Sequence, residues 1–378
     1  MHRLMGPFRI LLLSAMLLLA GSGLAYPGQR AEASASRSPQ DAGGLRAYLP
    51  MVDSQAIPIP NGIFLGVFLS PTGGNVQFIT DITNFQNMVG KKHAIYHFYT
   101  AWANSTLDTD MFLLSGIIQN GSVPMITWMS IPDSGSNPNG CNDPSWNLNS
   151  ILDGSHDTYI RTFASAAAAW GHTLLIRWGH EMNLVSYSWA GYCNGADAQA
   201  PNEFILAFRH IHDIFVQEGA TNVQFVWSPN CESYPAASWN NIDNYYPGDA
   251  YVDWIGVVGY NWGESNSNNN YRYLTFTDIF DSFLRSEAQL HPTKPLMVAD
   301  YASVEDDGPP GTSKAQWISQ AFAAMPTYTN LKAVVWFNGL NIDSFPDDEF
   351  RINSSAASVE AYSNAIAGPE FLSQTPWH

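Results

Sequence analysis

Short apolar runs alternate with amphipathic stretches along the chain from residue 62 onward. Runs of this length predict buried strands, and the amphipathic stretches between them predict helices. The predicted strands cover residues 63–69, 93–99, 124–128, 173–178, 223–227, 254–260, 295–301 and 333–337. The most clearly predicted helices cover residues 157–169, 202–218, 278–289, 313–325 and 356–367. Ser, Asp or Pro stands near the start of most of these helices, as is typical of a helix N-terminus.

Eight strands that alternate with helices predict an α/β fold, a parallel sheet closed into a (β/α)8 TIM barrel. The competing architecture is an open, doubly wound sheet with a Gly-x-Gly-x-x-Gly turn after its first strand. Here that strand is followed by SPTGG at residues 70–74, which is only a weak loop signal. We therefore expect a single barrel domain over residues 61–370, followed by a tail of residues 371–378.

The first 60 residues predict export and a linker. Arg3 and Arg9 precede the apolar run 10–20, and small residues follow it, as in a signal peptide. Cleavage is expected after Ala25 or Ala33, so that residues 1–33 are processed. The apolar run is too short to span a bilayer. Residues 34–60 are rich in Ala, Ser, Gly and Pro and predict a linker, so the mature protein is expected to be secreted and extracellular.

Composition narrows the classes of molecule that the protein is expected to bind. The formal net charge is -17, and a chain this acidic repels phosphate backbones and anionic lipid, which excludes nucleic acid and membrane surfaces. Aromatic residues make up 13% of the chain, and those beyond the needs of the core often face sugar rings. We expect a monomer without a cofactor. An exported chain with Cys141, Cys193 and Cys231 allows one disulfide and one free thiol, and all three pairings stay open.

Polar side chains follow the fourth predicted strand, where the run RWGHEMN occupies residues 177–183. The end of a core strand is an unfavourable place for the polar side chains of this run, because burying them without partners costs several kcal/mol. The side chains concerned are Arg177, His180, Glu181 and Asn183. They therefore predict a polar pocket. The alternative is an ion-paired barrel rim without chemistry.

Other strands end in the same way, and in a barrel the chemistry sits at the C-terminal ends of the strands. Tyr260 and Trp262 follow the sixth strand, Asp300 the seventh and Trp336 the eighth. Two acids on opposite sides of an aromatic pocket are what glycosidic bond cleavage requires, since one protonates the leaving oxygen while the other attacks the anomeric carbon or activates water. Glu181 and Asp300 are the candidates. The alternative for them is an ion pair with Arg177.

Metal chemistry is disfavoured. No second His follows His180 at the spacing of a zinc-binding helix. The acidic segment 343–349 has ligands that calcium accepts, but a solvated loop is the better reading. We predict no metal site.

The ordered set of motifs resembles family 26 of the glycoside hydrolases, the β-mannanase and related β-glucanase family. The matching runs are YIRTFA (159–164), RWGHEMN (177–183), FVWSPN (225–230), YYPGDAYVDWIGVVG (245–259), KPLMVADYASVE (294–305), VWFN (335–338) and FRINS (350–354). They appear in the family's order and cover most of residues 62–367.

This resemblance implies a (β/α)8 barrel and a retaining mechanism through a covalent glycosyl-enzyme. Glu181 would be the general acid/base, with His180 and Tyr260 around the reacting sugar. Trp336 would be the platform under that sugar, and Arg351 would contact a neighbouring one. Arg177, Asn183 and Trp262 complete the set of candidate substrate-binding residues. The implied substrate is β-mannan first and β-glucan next.

Three positions depart from the family pattern. The family's nucleophile is a Glu, and its position is occupied here by Asp300. An acid that the family carries two residues before Tyr260 is replaced by Val258. The segment 184–189, LVSYSW, lacks the Gly and closely spaced Trp residues that follow Asn183 in the family. Loss of one methylene withdraws the carboxylate by about 1.5 Å, and misplacements of about 1 Å cost on the order of a hundredfold in rate.

Three hypotheses follow from the sequence. The first is a secreted glycoside hydrolase acting on a neutral β-linked polysaccharide. The second is a weakly active or non-catalytic carbohydrate-binding descendant of such an enzyme, motivated by Asp300 and Val258. The third is a structural barrel without a sugar site.

Overall fold

A computed structural model describes residues 59–70, 75–132, 141, 143–263, 272–305, 311–339 and 349–377. The predicted export signal, nearly all of the predicted linker, and residues 343–348 of the acidic segment lie outside these ranges. Within them, no helix combines the length and the apolar character needed to cross a bilayer.

Eight parallel strands close into a barrel, which confirms the predicted fold. β1 pairs with both β2 and β8, and the other strands pair in chain order. The strands are β1 (Ile63–Leu69), β2 (Ile95–Ala101), β3 (Val123–Met129), β4 (Leu174–Arg177), β5 (Val223–Trp227), β6 (Trp254–Asn261), β7 (Leu296–Ser303) and β8 (Leu331–Asn338). Each overlaps the apolar run that predicted it.

Helices connect the strands and cover the outside of the barrel. They are α1 (Asn75–Val89), α2 (Leu107–Gln119), α3 (Leu148–Leu152), α4 (Asp157–Trp170), α5 (Ala200–Gln217), α6 (Phe276–Leu290), α7 (Lys314–Ala324) and α8 (Ala356–Ile366). Thr106 and Thr275 each cap a helix by accepting a hydrogen bond from the backbone N–H three residues on, which satisfies one of the N–H groups that lack a partner in the first turn. The five helices predicted from sequence are present.

The core has two parts, because a parallel strand in a barrel is buried on both faces. One part fills the barrel interior at the N-terminal end of the strands and includes Phe64, Met125, Val226, Trp254 and Met297. The larger part lies between the strands and the helices. The strand sequences are therefore apolar on both faces and do not alternate between apolar and polar residues.

The C-terminal segment seals the barrel floor. Phe371–Leu372 form a short strand, β9, that pairs with the start of β1. The Trp377 ring is 5% exposed and packs on Phe64 and Trp254, with ring centroids 5.1 and 5.5 Å apart. Residues 371–377, expected to form a tail, are thus part of the barrel.

One irregularity in β7 positions the site. Val257 of β6 pairs with Val298, but the next residue, Val258, pairs with Asp300, so that β7 has one extra residue at Ala299. Ala299 already faces the barrel interior, and strict alternation would turn Asp300 outward toward the helices. The bulge re-aims Asp300 into the C-terminal end of the barrel, which is a recognised use of such insertions.

Candidate active site

The carboxylate of Asp300 is held by donors from β2 and β4. Its Oδ2 accepts hydrogen bonds from Arg177 Nη2 at 2.5 Å and from the Tyr99 hydroxyl at 2.9 Å, while His97 Nδ1 faces its Oδ1 at 3.4 Å. Burial alone would raise the pKa of Asp300. The charge and hydrogen bond of Arg177, together with the nearby His97 ring, outweigh it and lower that pKa to about 2, so Asp300 is ionised at neutral pH.

Glu181 lies in the turn after β4, close enough to Asp300 for the two carboxyl groups to interact electrostatically. Its backbone is left-handed, with φ 52°, and Gly179 two residues before it has φ 68°. The Glu181 N–H donates to the Ser228 carbonyl at 2.8 Å. Its Oε1 accepts from Asn230 Nδ2 at 2.8 Å, and the Tyr187 hydroxyl is also hydrogen-bonded to this carboxyl group. The loops after β4 and β5 thus hold Glu181 between them.

The pKa of Glu181 moves in the opposite direction from that of Asp300. Burial raises it to about 7, although the hydrogen bond from Asn230 and the charge of Arg177 oppose the rise. The negative charge of Asp300 adds to the rise. Below about pH 7 the pocket therefore contains one protonated and one ionised carboxyl group, which is the combination that acid-assisted displacement at a sugar carbon requires.

His180 is buried and lies next to Glu181 in the sequence. Its side chain is 2% exposed, and neither ring nitrogen has a partner among the described residues. The ring packs against Tyr187 and Trp189, with centroids 4.6 and 5.4 Å away. Burial, reinforced by the charge of Arg177, lowers the pKa of His180 well below its ordinary value, so the ring is neutral.

Several other buried polar atoms at this end of the barrel also lack a hydrogen-bond partner within the described structure. They are Arg177 Nη1, Ser228 Oγ, and the facing pair His97 Nδ1 and Asp300 Oδ1. Each such atom costs roughly 1–3 kcal/mol when it stays unpaired. Their convergence around the two acids fits a ligand rich in hydroxyl groups.

Aromatic rings form one wall of the pocket. Tyr260 and Trp262 are partly exposed, and their centroids are 5.5 Å apart. Phe350 packs against both. Below them, Phe337 stacks on Phe68 with a centroid separation of 4.6 Å and an interplanar angle of 7°. Tyr260 and Trp262 are thus the predicted site aromatics that remain partly exposed.

The platform role expected of Trp336 does not fit its position. Trp336 is fully buried on the outer face of β8, where it packs against Tyr301, Trp317 and Tyr362. Its indole N–H donates to the Phe350 carbonyl at 3.0 Å. The next residue, Phe337, takes the inner face because side chains alternate along a strand.

The other three predicted substrate-binding residues differ in their burial and in their partners. Arg177 is fully buried under Asp300, which fits the ion pair considered from sequence. Asn183 is fully buried and ties two loops together, since its amide donates to the Asn230 and Glu232 carbonyls and accepts from the Asn230 N–H. Arg351 is exposed and paired with Glu349. A sugar contact by Arg351 stays a prediction.

Several residues around the acids were missed from sequence. They include His97 and Tyr99 on β2, Thr127 on β3, Tyr187 in the loop after β4 and Asn230 in the loop after β5. The first two had a readable signal, because polar side chains two positions apart in a buried strand point to the same face. Tyr187 had none, because it lies in a segment without periodicity.

The cysteine pairing, open from sequence, is Cys141 with Cys193. Cys193 lies in the loop after β4, downstream of Tyr187, so the disulfide fastens this loop to the segment after β3. Cys231 is the free cysteine and follows Asn230 directly. Burial raises the pKa of its thiol far above the ordinary value. No cluster of His, Cys, Asp and Glu in the described ranges could hold a metal ion.

Sequence comparison shows which known proteins this chain resembles. The sequence profile of Glycosyl hydrolase family 26 matches residues 166–291. Endoglucanase H of Acetivibrio thermocellus is 33% identical over 289 residues, which cover 75% of this chain and 29% of that protein. The match to the family profile and to this relative identifies the chain as similar to glycosyl hydrolase family 26. The family resemblance drawn from sequence is confirmed, and the chain spans 29% of the length of this curated relative.

Solved structures of family 26 share the fold. A Cellulomonas fimi endo-β-1,4-mannanase double mutant superposes with a TM-score of 0.60 at 20% identity, covering 82% of this chain and 72% of that one. A β-mannanase of the family from Bacteroides ovatus gives 0.57 at 16% identity, covering 82% of this chain and 90% of that one. At such identities the likeness concerns the fold alone.

Proposed function

We propose that this family 26 barrel is a secreted, retaining glycoside hydrolase that cleaves β-linked polysaccharide outside the cell. The observation that carries the proposal is the opposite ionisation of two carboxyl groups in one pocket: Glu181 has a pKa of about 7 and Asp300 one of about 2. Neighbouring acids with pKa values pushed apart are the usual mark of an acid and a nucleophile.

In the proposed reaction, protonated Glu181 donates its proton to the glycosidic oxygen as the carboxylate of Asp300 attacks the anomeric carbon. The leaving chain departs with the proton, and the sugar is left esterified to Asp300. Ionised Glu181 then takes a proton from water, the resulting hydroxide attacks the same carbon, and Asp300 is released. Because the first step needs protonated Glu181, kcat/KM is expected to fall as the pH rises through about 7.

The substrate class follows from the site and the relatives together. A neutral chain of sugars suits an acidic protein, since no charge on the substrate is repelled. The family motifs favour β-mannan, with β-glucan next. The relative with 33% identity is named an endoglucanase, which raises the priority of β-glucan. We propose both as substrates to be compared directly.

The test is release of reducing sugar from galactomannan, glucomannan, carboxymethylcellulose and mixed-linkage β-glucan. Glu181→Gln and Asp300→Asn serve as controls for a contaminating hydrolase. Proton NMR of the first product then gives the stereochemistry. Background rates on all four polysaccharides would contradict the proposal, and α-anomer as the first product would contradict retention.

A non-catalytic sugar-binding barrel is the second candidate, because Asp300 is one methylene shorter than the family's nucleophile. It predicts retention on polysaccharide gels without turnover. The two candidates are separated by the same assay, since measurable wild-type turnover that is lost in Asp300→Asn excludes the second.

A further inference from the structure

Thr127 lies on β3, and its hydroxyl contacts two of the side chains that surround Asp300. Its Oγ1 accepts a hydrogen bond from Arg177 Nε at 2.7 Å and lies 2.7 Å from His97 Nε2. Thr127, His97 and Arg177 are each fully buried. Through Arg177 and His97, the Thr127 hydroxyl is one side chain away from each oxygen of Asp300.

The available protons determine the direction of these hydrogen bonds. A guanidinium group only donates, so the 3.3 Å contact from Arg177 Nη2 disfavours a proton on His97 Nε2. The two protons of Nη2 also have Asp300 Oδ2 and the Tyr99 hydroxyl as acceptors, at 2.5 and 3.2 Å, so this contact alone does not fix the tautomer. The hydroxyl proton of Thr127 is also free to donate to Nε2, since its oxygen already accepts from Arg177. Nε2 therefore carries no proton. Burial lowers the pKa of His97 to about 4, so the ring is neutral at neutral pH and its one proton is on Nδ1.

We propose that Thr127 is a positioning residue that locks His97 in the Nδ1–H tautomer and holds Arg177, so that Oδ1 of Asp300 is the oxygen that attacks the sugar. This inference rests on the proposed role of Asp300 as nucleophile.

The two oxygens of Asp300 differ as this arrangement requires. Oδ2 accepts short hydrogen bonds from Arg177 and Tyr99, and such bonds reduce the reactivity of its lone pairs. Among the described residues, Oδ1 has only the contact to His97 Nδ1 at 3.4 Å, which is beyond the usual range of a hydrogen bond. Oδ1 thus keeps a lone pair available for attack while a weak donor orients it.

The other tautomer would reverse this contact. With the proton on Nε2, the lone pair of Nδ1 would face the lone pairs of Oδ1, and an N–H would meet the N–H groups of Arg177. Both contacts are repulsive, so either the His97 ring or the carboxylate of Asp300 would shift. Since a nucleophile misplaced by about 1 Å costs on the order of a hundredfold in rate, the tautomer matters for turnover.

The charged and titratable groups around Asp300 come from several elements. Arg177 and Glu181 belong to β4 and the turn after it, as does His180; His97 and Tyr99 belong to β2, and Tyr260 to β6. In the wild type Arg177 and His97 favour the ionised form of Asp300, and Glu181 and His180 are neutral below pH 7. Loosening Arg177 is therefore expected to raise the pKa of Asp300 and move the acidic limb of kcat to higher pH.

The first test reads the tautomer directly. Nitrogen-15 NMR of histidine-labelled protein distinguishes a protonated from an unprotonated ring nitrogen, and the His97 signals are assigned by their loss in His97→Asn. We expect Nδ1–H in the wild type and in Thr127→Ser, which keeps the hydroxyl. We expect a mixture of tautomers in Thr127→Val, which has the same shape without it. A wild-type Nε2–H tautomer, or an unchanged tautomer in Thr127→Val, overturns the inference.

The second test is kinetic. Thr127→Val is expected to lower kcat by about 10- to 100-fold with little change in KM, and to shift the acidic limb upward, while Thr127→Ser restores most of the rate. The amide nitrogen of Asn takes the place of Nδ1 and that of Gln the place of Nε2, so His97→Asn should exceed His97→Gln in kcat. Equal rates for these two variants would contradict the role of Nδ1–H.

The two tests separate this inference from the proposed function. If the wild type shows no turnover on any polysaccharide, the proposed function fails, and the NMR result still decides whether Thr127 controls the His97 tautomer. If turnover is present and the tautomer is Nε2–H, the proposed function stands and the role of Thr127 is wrong.

Discussion

The surroundings of Asp300 and Glu181 differ although both are buried carboxyl groups in one pocket. Asp300 projects from a strand and is bound by side chains of two other strands, one of them a cation. Glu181 projects from a turn with left-handed backbone and is bound by neutral groups, Asn230 and Tyr187. Burial acts on both in the same direction, and the presence or absence of a direct cationic partner decides which one ionises.

This difference suits the two roles proposed for these acids. A nucleophile benefits from a fixed position and a permanent charge, and the strands around Asp300 provide both. A proton donor must gain and lose its proton within each cycle, and the loops around Glu181 leave its pKa near neutrality. Each prediction below would break or sharpen this contrast.

The largest expected effect is loss of the proposed nucleophile, Asp300. Asp300→Asn should lower kcat/KM by about 10⁴-fold or more. Glu181→Gln should lower it by about 10²- to 10⁴-fold on polysaccharide, and far less on an aryl glycoside whose leaving group needs no proton. The measurement is initial rates on both substrate types. If Asp300→Asn keeps more activity than Glu181→Gln on the aryl glycoside, the roles are assigned wrongly.

The second effect concerns folding stability against pH. The pKa of Glu181 is raised in the folded state, so its contribution to stability is present below the unfolded-state pKa of about 4.5 and is lost as pH rises through about 7. Glu181→Gln should remove this loss of folding stability at high pH, because Gln does not ionise. Relative to the wild type, its free energy of unfolding should improve by about 3 kcal/mol between pH 4 and pH 8.

Urea unfolding at several pH values measures this stability change. Asp300→Asn provides the contrast, since the pKa of Asp300 is lowered and its contribution is lost only as pH falls from about 3.8 toward 2. A constant difference between Glu181→Gln and the wild type across pH would refute a raised pKa.

The third prediction concerns the length of the Asp300 side chain, which is one methylene shorter than that of Glu. The carboxylate of Asp300 already meets Arg177 and Tyr99 at hydrogen-bond distance, and Asp300 is 1% exposed. Asp300→Glu should therefore overpack the pocket, with a destabilisation of about 1–3 kcal/mol and a 10- to 100-fold loss of kcat. Thermal unfolding and initial rates test it. A gain in kcat would mean that the missing methylene limits the natural enzyme.

The smallest expected effect distinguishes Trp262, which borders the pocket, from Trp336, which lies on the outer face of β8. Trp262→Ala should weaken oligosaccharide binding by about 1–2 kcal/mol, because its ring borders the pocket. Trp336→Phe should lower the free energy of unfolding and leave affinity within about twofold, because its ring lies behind β8. Calorimetric titration of the Glu181→Gln background with oligosaccharide tests both. Equal losses of affinity would restore Trp336 as a sugar contact.

Most of the fold could be predicted because each strand is an apolar run bounded by loops. Strand positions, the closed barrel and the polar C-terminal ends follow from that pattern. The role of residues 371–377 could not, since two paired residues and one Trp leave no periodic signal. The pairing of Cys141 with Cys193 was equally beyond reach, because spacing alone does not determine which loops meet.

The site was predictable in its acids and less so in their neighbours. Glu181 and Asp300 stand out as charges after apolar runs. Which face of a strand points inward is hidden when both faces are apolar, and so Trp336 was assigned to the pocket although Phe337 occupies that face. The bulge at Ala299 is hidden for the same reason, because an extra apolar residue does not change the pattern of an apolar strand.

The left-handed backbone of Glu181 sets the proposed proton donor against folding stability. A left-handed φ at a residue other than Gly, Asn or Asp costs about 1 kcal/mol or more. Glu181, with φ 52°, therefore occupies a position where Gly or Asn would relieve backbone strain. Glu181→Asn should thus raise the free energy of unfolding as it removes the acid.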